Sequence, residues 1–261
     1  MLGKLLKKDL NRNMRWMWIL FVSLIAISGV TRGFKELGEN IMFFKILGIF
    51  LESLFYALAV NVVLQPFLRN FLNFTKSFYG DESYLTHTLP ATKSQLITSK
   101  FLTAIIEIVL GFVSLVISLL IMFYTPTFFD TLRMLLSIVI TGKFSLGIVL
   151  TLFITLVVVE FLMFITLIYL SIVIAYRAKE KRVLKTFLLT TLMAFAAMTI
   201  LSIVMIIVLS ANGVKLTTSA VTLSSSVFIS IMLTGIIIYL AISVLGYFIA
   251  KQEFNKGVNV D

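Results

Sequence analysis

The chain of 261 residues has no cysteine, one histidine and three prolines. Without cysteine there can be no disulfide framework and no thiolate-bound metal. A lone histidine, His87, excludes every two-histidine metal site, including the HExxH helix. Charge is equally scarce: Asp, Glu, Lys and Arg make up 13% of the chain, where a soluble domain carries about a quarter. So few charges cannot cover a water-soluble surface of this size, and the alternative solvent is lipid. Acidic residues are the rarer sign, 12 against 22 basic, for a formal net charge of +10. In a soluble protein that balance would suggest nucleic acid. In a chain this apolar it reads as basic loops beside anionic lipid, with no nucleic-acid partner.

Catalytic signatures are missing as well. No GxxxxGK[ST] phosphate loop and no GxSxG elbow occurs. His87 falls in a loop with no obvious nucleophile partner, where a surface or contact role is the ordinary one.

What the sequence has is hydrophobic length: 60% of residues are hydrophobic and the mean hydropathy is +1.08. Stretches poor in charge predict spans at about 16–34, 42–68, 101–124, 145–175, 187–210 and 225–250. The first is short, but flanking Arg15 and Arg32 can snorkel; the others reach the roughly 20 residues a helix needs to cross. Period-two alternation is absent, which disfavours a β-barrel. The expected fold is therefore an all-α integral membrane protein with six transmembrane helices in a single domain, 1–261. None of the six spans contains an Asp, which removes an intramembrane aspartyl pair.

Lys and Arg fall unevenly about these spans. One side holds Lys4, Lys7, Lys8, Arg12 and Arg15, then Arg69, Lys76, Lys93 and Lys100. The same side holds Arg177, Lys179, Lys181, Arg182 and Lys185, then Lys251 and Lys256. The positive-inside rule puts that side, and both termini, in the cytoplasm. The first apolar stretch lacks a small-residue cleavage site, so a removed signal peptide is not expected.

Two segments outside the predicted spans read as helices on the bilayer. Over 1–15, Leu2, Leu5, Leu6 and Leu10 share one face and Lys4, Lys7, Lys8 and Arg12 the other, the pattern of an amphipathic interfacial helix. A basic flank that only sets topology would look the same. Between spans three and four, the apolar stretch around Asp130 and Arg133 is expected to rest on the outer leaflet or cap a cavity.

The most informative segment is the cytoplasmic elbow 78–100. Gly80 stops a helix, Asp81 is a candidate N-cap and Glu82 is an anion in the first turn. Pro90 disfavours helical geometry at Leu89, and Thr92 with Gln95 fits a capping box for the next helix. The result is a short transverse helix of about two turns. With Tyr84 and Leu85 exposed it would make a knob for a groove on a soluble partner; the plain alternative is an ordinary loop.

In this elbow, Asp81-Glu82, Tyr84-Leu85, Thr88-Leu89-Pro90, Lys93, Gln95 and Lys100 resemble the coupling-helix region of ABC-2 type permeases, the six-span subunits of bacterial ABC exporters. The resemblance extends loosely over the whole chain. Within the family it is nearest the small permeases for antimicrobial or amphipathic peptides, such as the phenol-soluble modulin and lantibiotic-immunity exporters.

The resemblance implies a paired permease, either two copies or one with a paralogue, in the bacterial cell membrane. Two separate ATPase subunits would dock below and bind ATP and Mg, leaving this chain with no cofactor and no catalytic site of its own. Their contact would be Asp81, Glu82, Ser83, Tyr84, Leu85, Thr86, His87, Thr88, Leu89 and Pro90. The entry helix 1–15 would be a second contact. The cargo would be an amphipathic or antimicrobial peptide, or a hydrophobic compound.

Three glutamates lie within predicted spans. A charge at mid-span costs about 2.5–3.5 kcal/mol on insertion scales, so it faces a bundle interior, a partner or water. Glu52 could share a face with Lys45, Glu160 is the deepest, and Glu107 sits nearer the cytoplasmic interface. Glu52, Asn61, Gln65 and Glu160 are candidates for a polar translocation path; glutamates that merely lock helix packing are the alternative. Two rival functions stand beside the exporter. One is a non-transporting scaffold or sensor subunit that recruits a cytoplasmic partner, the other an ion-coupled carrier half.

Overall fold

The structure is a computed structural model that describes residues 1–38, 41–80, 82–88, 90–178, 180–214 and 223–256. It contains eight helices among these residues: α1 (Leu2–Leu37), α2 (Met42–Tyr79), α3 (Ser83–His87), α4 (Lys93–Phe123), α5 (Phe128–Ser137), α6 (Leu146–Ala175), α7 (Arg182–Ala211) and α8 (Ser225–Asn255). Six of them, α1, α2, α4, α6, α7 and α8, are long and apolar enough to cross a membrane. The shortest of these has 30 residues, about 45 Å of helix against a hydrocarbon core of roughly 30 Å. The chain is thus a multi-pass, all-α membrane protein. Spans four to six begin and end within a few residues of their sequence-based limits. The first three run on well past them.

The first difference is at the N-terminus. The expected separate interfacial helix 1–15 is instead the opening of α1, which continues without a break to Leu37. Most of its amphipathic pattern is as predicted, with Leu2, Leu5, Leu6 and Leu10 half-buried and Lys4, Lys7 and Lys8 exposed. Arg12, however, is half-buried and turns to Ser77 and Glu82. Asp9 and Asn13 are buried on the leucine side, and that face packs against α2 and α4. No glycine or proline interrupts positions 10–20, so nothing in the backbone breaks the helix. In the same way α2 extends eleven residues past the expected end of its span, to Tyr79, and α4 starts at Lys93.

Contacts gather the chain into two compact units, Met1–Pro126 and Thr127–Asn259. In the N-terminal unit α1 packs on α4 and α2 around Met14, Met17, Phe21, Leu24, Phe55, Val62 and Met122. Helix α2 carries Pro66 in its interior. Proline cannot donate to the carbonyl four residues back, here that of Val62. Gly111 of α4 lies against that carbonyl, where an added Cβ would stand 3.6 Å from the oxygen.

In the C-terminal unit α6 packs on α8 and α7 around Val159, Met163, Leu167, Ala197, Ile236 and Tyr239. Close helix approach in lipid relies on small residues. Gly235 and Gly246 of α8 provide it, with would-be Cβ positions 2.8 Å from Leu156 Cδ1 and from Thr166 Cγ2. The predicted helix between spans three and four forms as α5, with Phe129, Met134 and Leu135 exposed. After it, β1 (Ile140–Thr141) pairs in parallel with β2 (Leu223–Ser224), joining this segment to the start of α8. Ser224 then caps α8 by accepting from the Val227 amide.

Candidate functional site

Helix α2 stops at Gly80, whose extended backbone carries no Cβ to clash with the preceding turn. The amide of Ser83 donates to the Gly80 carbonyl at 2.9 Å, turning the chain into α3. Helix α3 is a single turn, five residues rather than the predicted two turns. Asp81, Leu89 and the side chain of His87 lie outside the described residues. Glu82 occupies the N-cap position without a side-chain cap bond; its carboxylate turns instead toward Arg12.

Within α3 the side chains divide sharply. Ser83 is buried, whereas Tyr84 and Leu85 are 76% and 68% exposed. Thr86 Oγ1 donates to the Glu82 carbonyl and Thr88 Oγ1 to the Leu85 carbonyl, so both hydroxyls are spent on the turn itself. Pro90 is exposed. Thr92 and Gln95 form the predicted capping box, each side chain bonded to the other's backbone amide at 3.3 Å. The elbow is therefore closed at its exit by local bonds and held at its entrance by tertiary ones.

The tertiary bonds make a polar network at the same end of α1, α2 and α4. Arg12 donates to Glu82 Oε2 at 2.8 Å and to Ser77 Oγ at 3.2 Å. Asp9 accepts from Lys100 Nζ at 2.7 Å and from Ser99 Oγ at 2.8 Å. Lys100 also donates to Ser77, and its ammonium lies 6.0 Å from the centre of the Phe78 ring. Further along, Asn73 donates to Asn13, and Asn70 donates to Glu107 at 2.7 Å. Glu107 is fully enclosed, with Asn13 of α1 beside it.

Sequence reasoning missed most of this network. Asp9 stands in a basic stretch, Lys100 reads as a loop cation, and nothing in the sequence marks Glu107 as the most enclosed of the three span glutamates. One signal was available: Asp9 and Asn13 share the leucine face of a helix whose lysines point the other way.

The candidate path residues lie as follows. Glu52 pairs with Lys35 of α1 at 2.9 Å and accepts from Tyr56; the cation that meets it is therefore Lys35 and not Lys45 on its own helix. The chain crosses back between α1 and α2, bringing the end of one against the start of the other. Asn61 is exposed and its amide donates back to the Ala57 carbonyl. Gln65 accepts from Arg69, whose guanidinium lies 5.9 Å from the Trp16 ring centre. These three are on α2 in the N-terminal unit. Glu160 is half-buried on α6 in the C-terminal unit, with Tyr239 of α8 in hydrogen-bonding reach.

Fold and site together define a class, a multi-pass membrane protein with six membrane-length helices and a single-turn helix between the second and third of them. No family model, curated protein or solved structure matches the chain.

Proposed function

We propose that the chain is the membrane-spanning permease subunit of an ATP-driven exporter of the ABC-2 type. The observation that carries this reading is α3: one turn of helix, fixed by Arg12 at its entrance and by the Thr92–Gln95 capping box at its exit. It presents Tyr84 and Leu85 to solvent. Two large apolar side chains on a fixed, polar-bounded helix suit insertion into a groove of a soluble protein. In this reading α3 is the coupling helix, and the basic excess on its side makes that side cytoplasmic, with both termini inside the bacterial cell membrane.

The partners that follow are two nucleotide-binding subunits, which hold ATP and Mg, and a second permease copy or paralogue. The chain itself takes no catalytic role. The cargo is an amphipathic or antimicrobial peptide, or a hydrophobic compound, and Glu52, Asn61, Gln65 and Glu160 are the residues offered for its path.

The experiment is a search for a nucleotide-binding ATPase gene beside this one and reconstitution of the chain with its product. The expected result is co-purification, and ATP hydrolysis that changes when the permease is present. Failure to co-purify, with hydrolysis indifferent to the permease, would overturn the reading. Export by Glu160→Gln in inverted vesicles tests the path separately: unchanged export with lowered stability assigns that carboxylate to helix packing.

A further inference from the structure

Two ion pairs stand side by side at the α3 end of the N-terminal unit, and they differ in character. Asp9–Lys100 joins α1 to α4 with side chains 12% and 9% exposed. Ser99 and Ser77 complete it, Ser99 donating to Asp9 and Ser77 accepting from Lys100. Separating it would strand a charge away from water, which is strongly unfavourable. Arg12–Glu82 joins α1 to α3 with side chains 33% and 48% exposed. An exposed pair contributes little, is screened by salt, and is regained from water when it opens. Arg12 is incompletely satisfied even when closed, since its Nε is buried with no partner among the described residues.

Arg12 reaches the anchor as well, its Nη2 lying 3.6 Å from Asp9 Oδ1, and Ser77 links the two pairs. Its hydroxyl lies within bonding distance of Arg12, of Lys100 and of Glu82, the last at 3.4 Å. It stands in the last turn of α2, directly before the Gly80 stop. Beyond that stop α3 has a single turn and few contacts of its own, almost all with α2. The helix is thus held to a fixed base by one exposed ion pair, the long Ser77–Glu82 bond, the buried Ser83 and two chain connections, one at a glycine and the other at the capped start of α4.

We propose that the Arg12–Glu82 pair is a releasable latch that sets the position of α3, while the Asp9–Lys100 pair beside it is the fixed anchor holding α1 and α4 together. Arg12 and Glu82 are positioning residues. Closed, they keep the turn wound and aim Tyr84 and Leu85; open, they let α3 loosen and swing about Gly80 without unpacking α1 from α4. The latch rests on the exporter reading only for what such a movement would do, which is to pass motion between a docked ATPase and α1.

Hydrogen–deuterium exchange on the full chain in lipid nanodiscs tests this with no partner present. The amides to follow are those of Thr86 and Thr88, which donate to Glu82 and Tyr84. Arg12→Gln is expected to raise their exchange by roughly twofold to fivefold, the range an exposed pair controls. Glu82→Gln, which leaves Arg12 beside Asp9, is expected to raise it by the same factor, and combining it with Arg12→Gln should add little more.

Raised salt should loosen α3 in the wild type and leave Arg12→Gln unchanged. Amides of α1 and α4 around Asp9 and Lys100 should stay protected in Glu82→Gln and in raised salt. The latch is overturned if Arg12→Gln, Glu82→Gln and salt leave Thr86 and Thr88 unaffected, if the two substitutions add in full, or if α1 and α4 open as much as α3 in Glu82→Gln. The expected exchange pattern together with an ATPase indifferent to the permease would count against the exporter reading alone.

Discussion

Asp9 and Lys100, 91 positions apart in the chain, meet at 2.7 Å between Oδ1 and Nζ at the base of α1 and α4. The pair fixes which face of α1 turns inward, because the same face carries Asn13, bonded to Asn73 of α2. Breaking a buried pair leaves the remaining charge without its partner, at a cost of about 3–5 kcal/mol. Asp9→Asn is expected to destabilise the N-terminal unit by about that much, and Lys100→Met by less, because Arg12 still stands 3.6 Å from Asp9. The double variant should lose less than the two singles together, because neither charge is then stranded. Denaturant unfolding in mixed micelles, followed by tryptophan fluorescence from Trp16 and Trp18, measures both.

The exposed pair on α3 makes the opposite prediction. Leu85→Asp removes an apolar contact from a residue that touches little within this chain. Stability and membrane insertion should be those of the wild type, while, on the exporter reading, co-purification with the proposed ATPase subunit is lost. Tyr84→Ala should weaken it in the same direction, by roughly tenfold or more in affinity, as expected of an aromatic anchor. Wild-type affinity for both variants would remove α3 from the interface.

Thr92→Ala opens the capping box at the start of α4. Loss of an N-cap side chain costs about 1 kcal/mol, and exchange of the Gln95 amide, which donates to Thr92 Oγ1, should rise about fivefold. Thr92→Ser, which keeps the oxygen, should stay near the wild type.

In the C-terminal unit a Cβ added at Gly246 would stand 2.8 Å from Thr166 Cγ2. Gly246→Ala is expected to cost about 1–3 kcal/mol through overpacking. Thr166→Ser removes that methyl and retains the hydroxyl that donates to the Leu162 carbonyl. The pair Gly246→Ala with Thr166→Ser should therefore recover most of the loss, measured as the melting temperature in detergent.

A chain without cysteine is a clean background for testing orientation. Lys8→Cys and Met134→Cys place thiols on exposed side chains of α1 and α5. With the basic side in the cytoplasm, an impermeant maleimide added to whole cells labels position 134 and spares position 8 until the membrane is opened. The reverse pattern would invert the topology.

Much of the fold was legible because it is local. Apolar runs locate the long helices, since in lipid each backbone amide must bond within its own segment. Thr92 and Gln95 predicted the capping box because both partners lie within one turn. The short helix after Gly80 was readable from the glycine before it and Pro90 behind it. The spans' outer limits were less legible. Charged and polar residues of 69–79 and 93–100 end a hydropathy run, but they do not end a helix whose polar side chains face other helices.

What the sequence by itself determined is the solvent and the segments: a chain too apolar and too sparsely charged for water, cut into six membrane-length helices by its basic residues. What only the tertiary structure decided is which polar side chains meet. Lys35 rather than Lys45 finds Glu52, Lys100 finds Asp9, Arg12 finds Glu82, and Asn70 finds Glu107. Each of these pairs joins different elements. Its formation depends on the rotation and axial register of whole helices against one another, which packing around Met17, Phe21 and Phe55 sets and no local pattern of residues records.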